Sequence, residues 1–178
     1  MRDMSISINR RDVAWHLPLL LVPVYYFMYD NSTLIYASLI VFSYIAAVTD
    51  YRTKTVPNRL IIIMLGYWVV FSGVSLLTDA GPDSDMITNG ILGFLISGGV
   101  FFLLYIVSKK GIGAGDVKFI AASGLYMGGT LIFAVVLISF IVVFIFMMVL
   151  IVARRKTRKD SIVFVPFYFL GILLVLLL

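Results

Sequence analysis

The chain has 178 residues, 62% of them apolar and only 13% charged, against about a quarter charged in an ordinary soluble domain. That excludes a soluble globular protein and leaves an integral membrane protein, in which the net charge of +5 marks cytoplasmic loops rather than nucleic-acid binding. With no cysteine there are no disulfides, thiolate metal sites or Cys nucleophiles, and the nine acidic residues are all Asp.

A spanning helix needs about 20 largely apolar residues. In chain order, that length finds candidates at 13–29, 33–49, 60–77, 87–107, 117–129, 130–152 and 161–178. The first lacks a small-residue cleavage site and is followed at once by another, so it reads as a retained span. Trp15, Tyr29 and the single His, His16, suit its interfaces. The second ends on Thr49-Asp50, and the third and fourth are joined through Gly81-Pro82-Asp83-Ser84, a turn with solvated carboxylates. The fifth, Val117 to Gly129, is short enough to be a re-entrant segment or a buried helix instead.

Charge placement decides for a crossing. If all seven segments cross, every one of the 14 basic residues falls on one side: Arg2, Arg10 and Arg11; Arg52, Lys54 and Arg59; Lys109, Lys110 and Lys118; and the run Arg154 to Lys159. The opposite loops hold Asp30, Asp79, Asp83 and Asp85 with no Lys or Arg. Without a fifth crossing the Arg154 to Lys159 run would lie outside, against the positive-inside rule. The expectation is an all-α polytopic bundle of about seven transmembrane helices, amino terminus cytoplasmic and carboxyl terminus outside, in the cell membrane. Its loops are too short for a soluble domain, and no internal repeat of a transporter kind is visible.

An ionisable residue at membrane depth is a functional hypothesis by default. Asp116 follows the glycine-rich stretch Gly111-Ile112-Gly113-Ala114-Gly115, at the start of span five. Asp50 ends span two at the same cytoplasmic edge, so the topology brings two carboxylates to one depth. That is what aspartyl proteolysis requires: one carboxylate takes a proton from water while the other, protonated, polarises the scissile carbonyl. Helix ends suggest Asp116, at an amino end, as initial base and Asp50, at a carboxyl end, as initial acid. The alternating Gly111, Gly113 and Gly115 offer positive φ and close approach of a substrate backbone, which assigns Gly113 and Gly115 to substrate binding. A phosphate loop would end in Gly-Lys-Ser/Thr, whereas this run continues Gly115-Asp116-Val117-Lys118. Lys118 is expected to reach the head groups rather than the carboxylates.

Gly113-Ala114-Gly115-Asp116-Val117-Lys118, followed by the small residues Ala121 to Gly124, resembles the signature of the GxGD aspartyl proteases, specifically type IV prepilin peptidases and archaeal preflagellin peptidases. Asp50, Arg52, Val56, Pro57 and Asn58 match the motif around that family's first catalytic Asp, and Pro166-Phe167 matches a later Pro-Phe. The resemblance covers about residues 40–175 of a single protease domain over 1–178, with 1–32 an extra amino-terminal segment and span. It implies a membrane aspartyl endopeptidase that removes a short basic leader from a prepilin-like or preflagellin-like precursor at the cytoplasmic membrane face. It implies catalysis by Asp50 and Asp116, with no metal and no cofactor. Larger relatives carry a zinc module built from two Cys pairs and also methylate the new amino terminus. A chain without Cys resembles the small, peptidase-only members. Tyr168 and Phe169 stand where the family pattern gives Gly-Pro, which leaves the last span without an assigned role.

Other readings use the same residues differently. A small transporter or solute-binding membrane subunit would use the two Asp as ligands, but such sites usually lie near the bilayer midplane. A serine protease would need Ser97 or Ser123 to meet His16 from the first span. A presenilin-like protease would carry a Pro-Ala-Leu triplet, which is absent. Asp12 and Asp160 read as solvated loop charges.

Overall fold

The computed structural model describes residues 32–77, 84–107, 112–153 and 163–178. These form five helical elements: α1 (Ser32–Thr53), α2 (Asn58–Leu77), α3 (Ser84–Val107), α4 (Ala114–Val152) and α5 (Val165–Leu177). The fold is all-α. Leu34–Thr53, Asp85–Val107 and Ala114–Val152 are long and apolar enough to cross a membrane, and Asn58–Val74 and Val165–Leu177 are shorter apolar helices. The expected span at 13–29, with His16, Asp12, Trp15 and Tyr29, lies outside the described residues, as do Asp30, Asp79, Asp83 and Asp160.

The two apolar runs expected at 117–129 and 130–152 belong to one element, α4, interrupted at Gly128, whose φ of 70° and ψ of 174° are not helical. Few residues other than glycine enter that region. The neighbours of α4 show that the chain reverses there. Up to Gly128 it runs antiparallel to α3: Ser97 Oγ donates to the Ile120 carbonyl at 3.2 Å, and Gly93 of α3 meets Gly124 backbone to backbone, leaving no room for a side chain on either. Beyond Gly128 it returns along α3, since Gly129 N–H donates to Asn89 Oδ1 at 2.9 Å and Phe140 stacks on Phe101 with ring centroids 6.0 Å apart. The reversal frees backbone groups, and side chains take them up. Gly129 N–H, the regular helical partner of the Leu125 carbonyl, goes to Asn89; that carbonyl instead accepts Trp68 Nε1–H at 3.0 Å. Buried polar backbone is thus satisfied where the helix cannot do it.

The first half of α4 is the centre of the bundle. Phe119 through Gly129 are all buried, as befits a helix that is apolar all round. α1, α2, α3 and α5 all pack against α4. Tyr126 donates to the Met64 carbonyl of α2 at 2.6 Å, Ser123 and Tyr168 of α5 share a 2.5 Å hydrogen bond, and Phe42 of α1 lies edge-on to Tyr126. Large apolar side chains such as Ile62, Val70, Leu103 and Phe144 face outward, a surface suited to lipid. With lipid outside, the helices are held by close packing and interhelical hydrogen bonds rather than by burial from water.

Candidate active site

Asp50 sits in the last turn of α1 and is 3% exposed. The helix ends just beyond it in a left-handed cap: Lys54, at φ 55°, closes the turn by donating its N–H to the Asp50 carbonyl at 2.8 Å. Val56 precedes Pro57, a position that disfavours helix, and α2 begins at Asn58. The loop between the two helices is therefore short and fixed at both ends.

Asp116 occupies the first turn of α4. Gly113 is the residue before the helix and accepts the Asp116 and Val117 N–H groups at 3.1 and 3.3 Å. The Asp116 carboxylate folds back over Gly113, where an added methyl would lie 3.2 Å from Oδ2. Gly113 has φ −68° and ψ 135°, an ordinary extended conformation. Gly115 is inside the helix, and Gly128 is the one positive-φ glycine among the described residues. The expected positive φ is thus absent at Gly113 and Gly115, because the loop enters α4 through an extended residue. Gly111 lies outside the described residues.

Gly115 has a different reason to be glycine. A methyl there would lie 3.1 Å from the Val56 carbonyl oxygen and 3.3 Å from its nitrogen, so the first turn of α4 rests directly on the α1–α2 loop. Beside this contact Lys118 Nζ donates to Asn58 Oδ1 at 3.3 Å. Asp50 precedes that loop and Asp116 lies in that turn, so the contact sets the two on neighbouring segments, near enough for the charge of one to be felt at the other.

Sequence reasoning missed a third element. The Val165 N–H, at the start of α5, donates to Asp50 Oδ2 at 3.2 Å. That N–H is free because the first turn of a helix has no internal acceptor for it. The signal was present in Pro166, which stands at the start of α5 where proline is favoured. A backbone donor carries no side-chain signature, however. Asp50 thus lies at the carboxyl end of α1 and at the amino end of α5, so helix polarity no longer separates it from Asp116. What separates them is exposure, since Asp116 is only half-buried.

Chemically the site offers two carboxyls on neighbouring segments, the buried one held by the Val165 N–H and the more exposed one at a glycine turn. The model of the type IV leader peptidase family matches residues 37–149. This chain belongs to the type IV leader peptidase family. No curated protein and no solved structure matches it. The matched stretch contains both Asp and the reversal at Gly128, whereas the α5 donor lies beyond it. Elsewhere in this leader peptidase relative, Ser97 Oγ donates to the carbonyls of Gly93 and Ile120, and Ser123 Oγ donates to Ile120 and bonds Tyr168. Both serines are tied into helix contacts, and His16 lies outside the described residues. Among those residues no group of three His, Cys, Asp or Glu is arranged to hold a metal ion.

Proposed function

We propose that this protein is a membrane aspartyl endopeptidase that removes the basic leader from type IV prepilin-like or preflagellin-like precursors, using Asp50 and Asp116. The observation that supports the reading is the close approach of the first turn of α4 to the α1–α2 loop, which sets Asp116 beside the segment that follows Asp50, in a chain of the leader peptidase family. Roles follow exposure: Asp116, the more exposed carboxyl, is the initial base and Asp50 the initial acid. The half-buried Asp116 takes a proton from a water molecule, whose oxygen attacks the scissile carbonyl carbon while Asp50 donates its proton to the carbonyl oxygen. Collapse of the tetrahedral intermediate breaks the C–N bond; Asp116 protonates the leaving amine and Asp50 recovers a proton from the hydroxyl. Neither step needs a metal or cofactor. Gly113, exposed beside Asp116, and Gly115 form the turn against which an extended substrate backbone would lie.

The domain is the whole chain, 1–178, with seven spans, the amino terminus and active site on the cytoplasmic side, in the cell membrane. Support comes from the reversal at Gly128. It lets the short first half of α4, about 22 Å at 1.5 Å per residue, cross with its ends recessed among longer helices, and it leaves Arg52, Lys54, Arg59 and Lys118 at the end that carries the two Asp.

The test is cleavage of a purified prepilin by the reconstituted protein and by Asp50→Asn and Asp116→Asn. Each variant is expected to lose on the order of 10³-fold in rate. Undiminished cleavage by either variant overturns the dyad; no cleavage of any prepilin or preflagellin by wild type overturns the substrate assignment.

A further inference from the structure

Alongside the first half of α4, α2 and α3 stand apart and leave a groove of about 480 Å³. Ile61 and Leu65 form one wall, Gly98 and Gly99 the other, and Ala121 the floor; every lining residue is apolar or glycine except Lys118. Lys118 is exposed and lies two residues past Asp116, at the end of the groove nearest the carboxyls. Asn58, which accepts from its amine, falls in register with Ile61 and Leu65 on the same face of α2. The groove therefore pairs an apolar body with one cationic mouth, flanked by an amide.

We propose that this groove binds an anionic phospholipid, with an acyl chain between α2 and α3 and the phosphate on the Lys118 ammonium and the Asn58 amide. Charge selects this occupant. A basic leader would be repelled by Lys118, whereas a phosphate is attracted, and basic pockets between membrane helices are recognised headgroup sites. Size agrees. A whole spanning helix, about 10 Å across and 30 Å long, occupies several times the volume of the groove, and an acyl chain does not. Gly99 has nothing within 4 Å of an added side chain, so the wall is open to an incoming chain. A phosphate bound here would place negative charge beside the carboxyls, where a basic leader must approach a basic surface. That consequence rests on the peptidase reading; the binding itself does not.

The test is native mass spectrometry of the full chain, released from vesicles of equal phosphatidylglycerol and phosphatidylcholine, for wild type, Lys118→Gln and Gly99→Trp. Wild type is expected to retain phosphatidylglycerol several-fold over phosphatidylcholine. Lys118→Gln should lose that preference, and Gly99→Trp, which fills the open wall, should lose the bound lipid. A photo-crosslinker at position 99 then reports the occupant: an adduct with phosphatidylglycerol supports the proposal, and one with residues 13–29, a second copy or an apolar substrate helix overturns it. Equal retention of the two lipids by wild type, or a preference unchanged in both variants, overturns it as well. Because the readout is lipid mass, it stands whether or not cleavage of a prepilin is detected.

Discussion

Asp50 is anchored by a main-chain donor 115 residues away in sequence, and that contact gives the last helix a task in the site. Replacing Val165 with proline removes the N–H, while Val165→Ala keeps it. Asp50 becomes ionised as it gives up its proton to the scissile carbonyl, and a hydrogen bond to a charged group contributes about 1.5–3 kcal/mol, so Val165→Pro is expected to lower kcat by roughly 10- to 100-fold with KM little changed, and Val165→Ala to stay near wild type. Proline also disfavours the helical backbone of Phe164 (φ −86°, ψ −38°), so melting of the variant in detergent checks that the fold survives. Gly115 gives a second residue-scale prediction. The methyl of Gly115→Ala meets the Val56 backbone at 3.1 Å and forces α4 away from the loop that fixes Asp50. Overpacking of this kind costs about 1–3 kcal/mol. Steady-state kinetics should show a fall in kcat of about tenfold or more, since the carboxyls are moved apart.

At the scale of elements, the reversal inside α4 depends on three groups acting together: Gly128 supplies the backbone conformation, Asn89 holds the returning strand of helix by Gly129 N–H, and Trp68 takes the Leu125 carbonyl. Gly128→Ala is doubly unfavourable. Its backbone region is nearly closed to other residues, and the methyl would stand 2.5 Å from the Asn89 amide nitrogen. Thermal unfolding should show a loss of at least about 2 kcal/mol. Asn89→Ala leaves a buried N–H unpaired and is expected to cost about 1–3 kcal/mol. An Asn89→Ala protein as stable as wild type would mean that the turn is held elsewhere.

For the whole molecule, the topology makes a prediction that the composition renders easy to read. Because the chain has no cysteine, a single Cys introduced at Lys54 or at Asp83 reports its side of the membrane without background. In intact cells a membrane-impermeant maleimide should label position 83 and leave position 54 unlabelled until the membrane is opened; the opposite pattern would invert the orientation. The paired carboxyls also fix the form of the pH dependence. Activity should fall at low pH, where the base is protonated, and again at higher pH, where the shared proton is lost, giving a bell. A single-limbed profile would show that one carboxyl acts alone.

The sequence by itself determined the membrane setting, the all-α class and the two Asp as candidates. Those follow from properties that survive without coordinates: apolar runs of spanning length, the sidedness of Lys and Arg, and side chains whose chemistry is written in their names. The family was legible too, through Gly113 to Lys118 and Asp50 to Asn58. Only the tertiary structure decided what sets the segments that carry the two Asp side by side. The contact of Gly115 with Val56, the Val165 N–H on Asp50 and the turn at Gly128 closed by Asn89 and Trp68 are backbone approaches and long-range hydrogen bonds, and no local pattern encodes them. For the same reason helix polarity, read along the chain, favoured Asp116 over Asp50 as the ionised partner, while in space each carboxyl is met by the amino end of a helix.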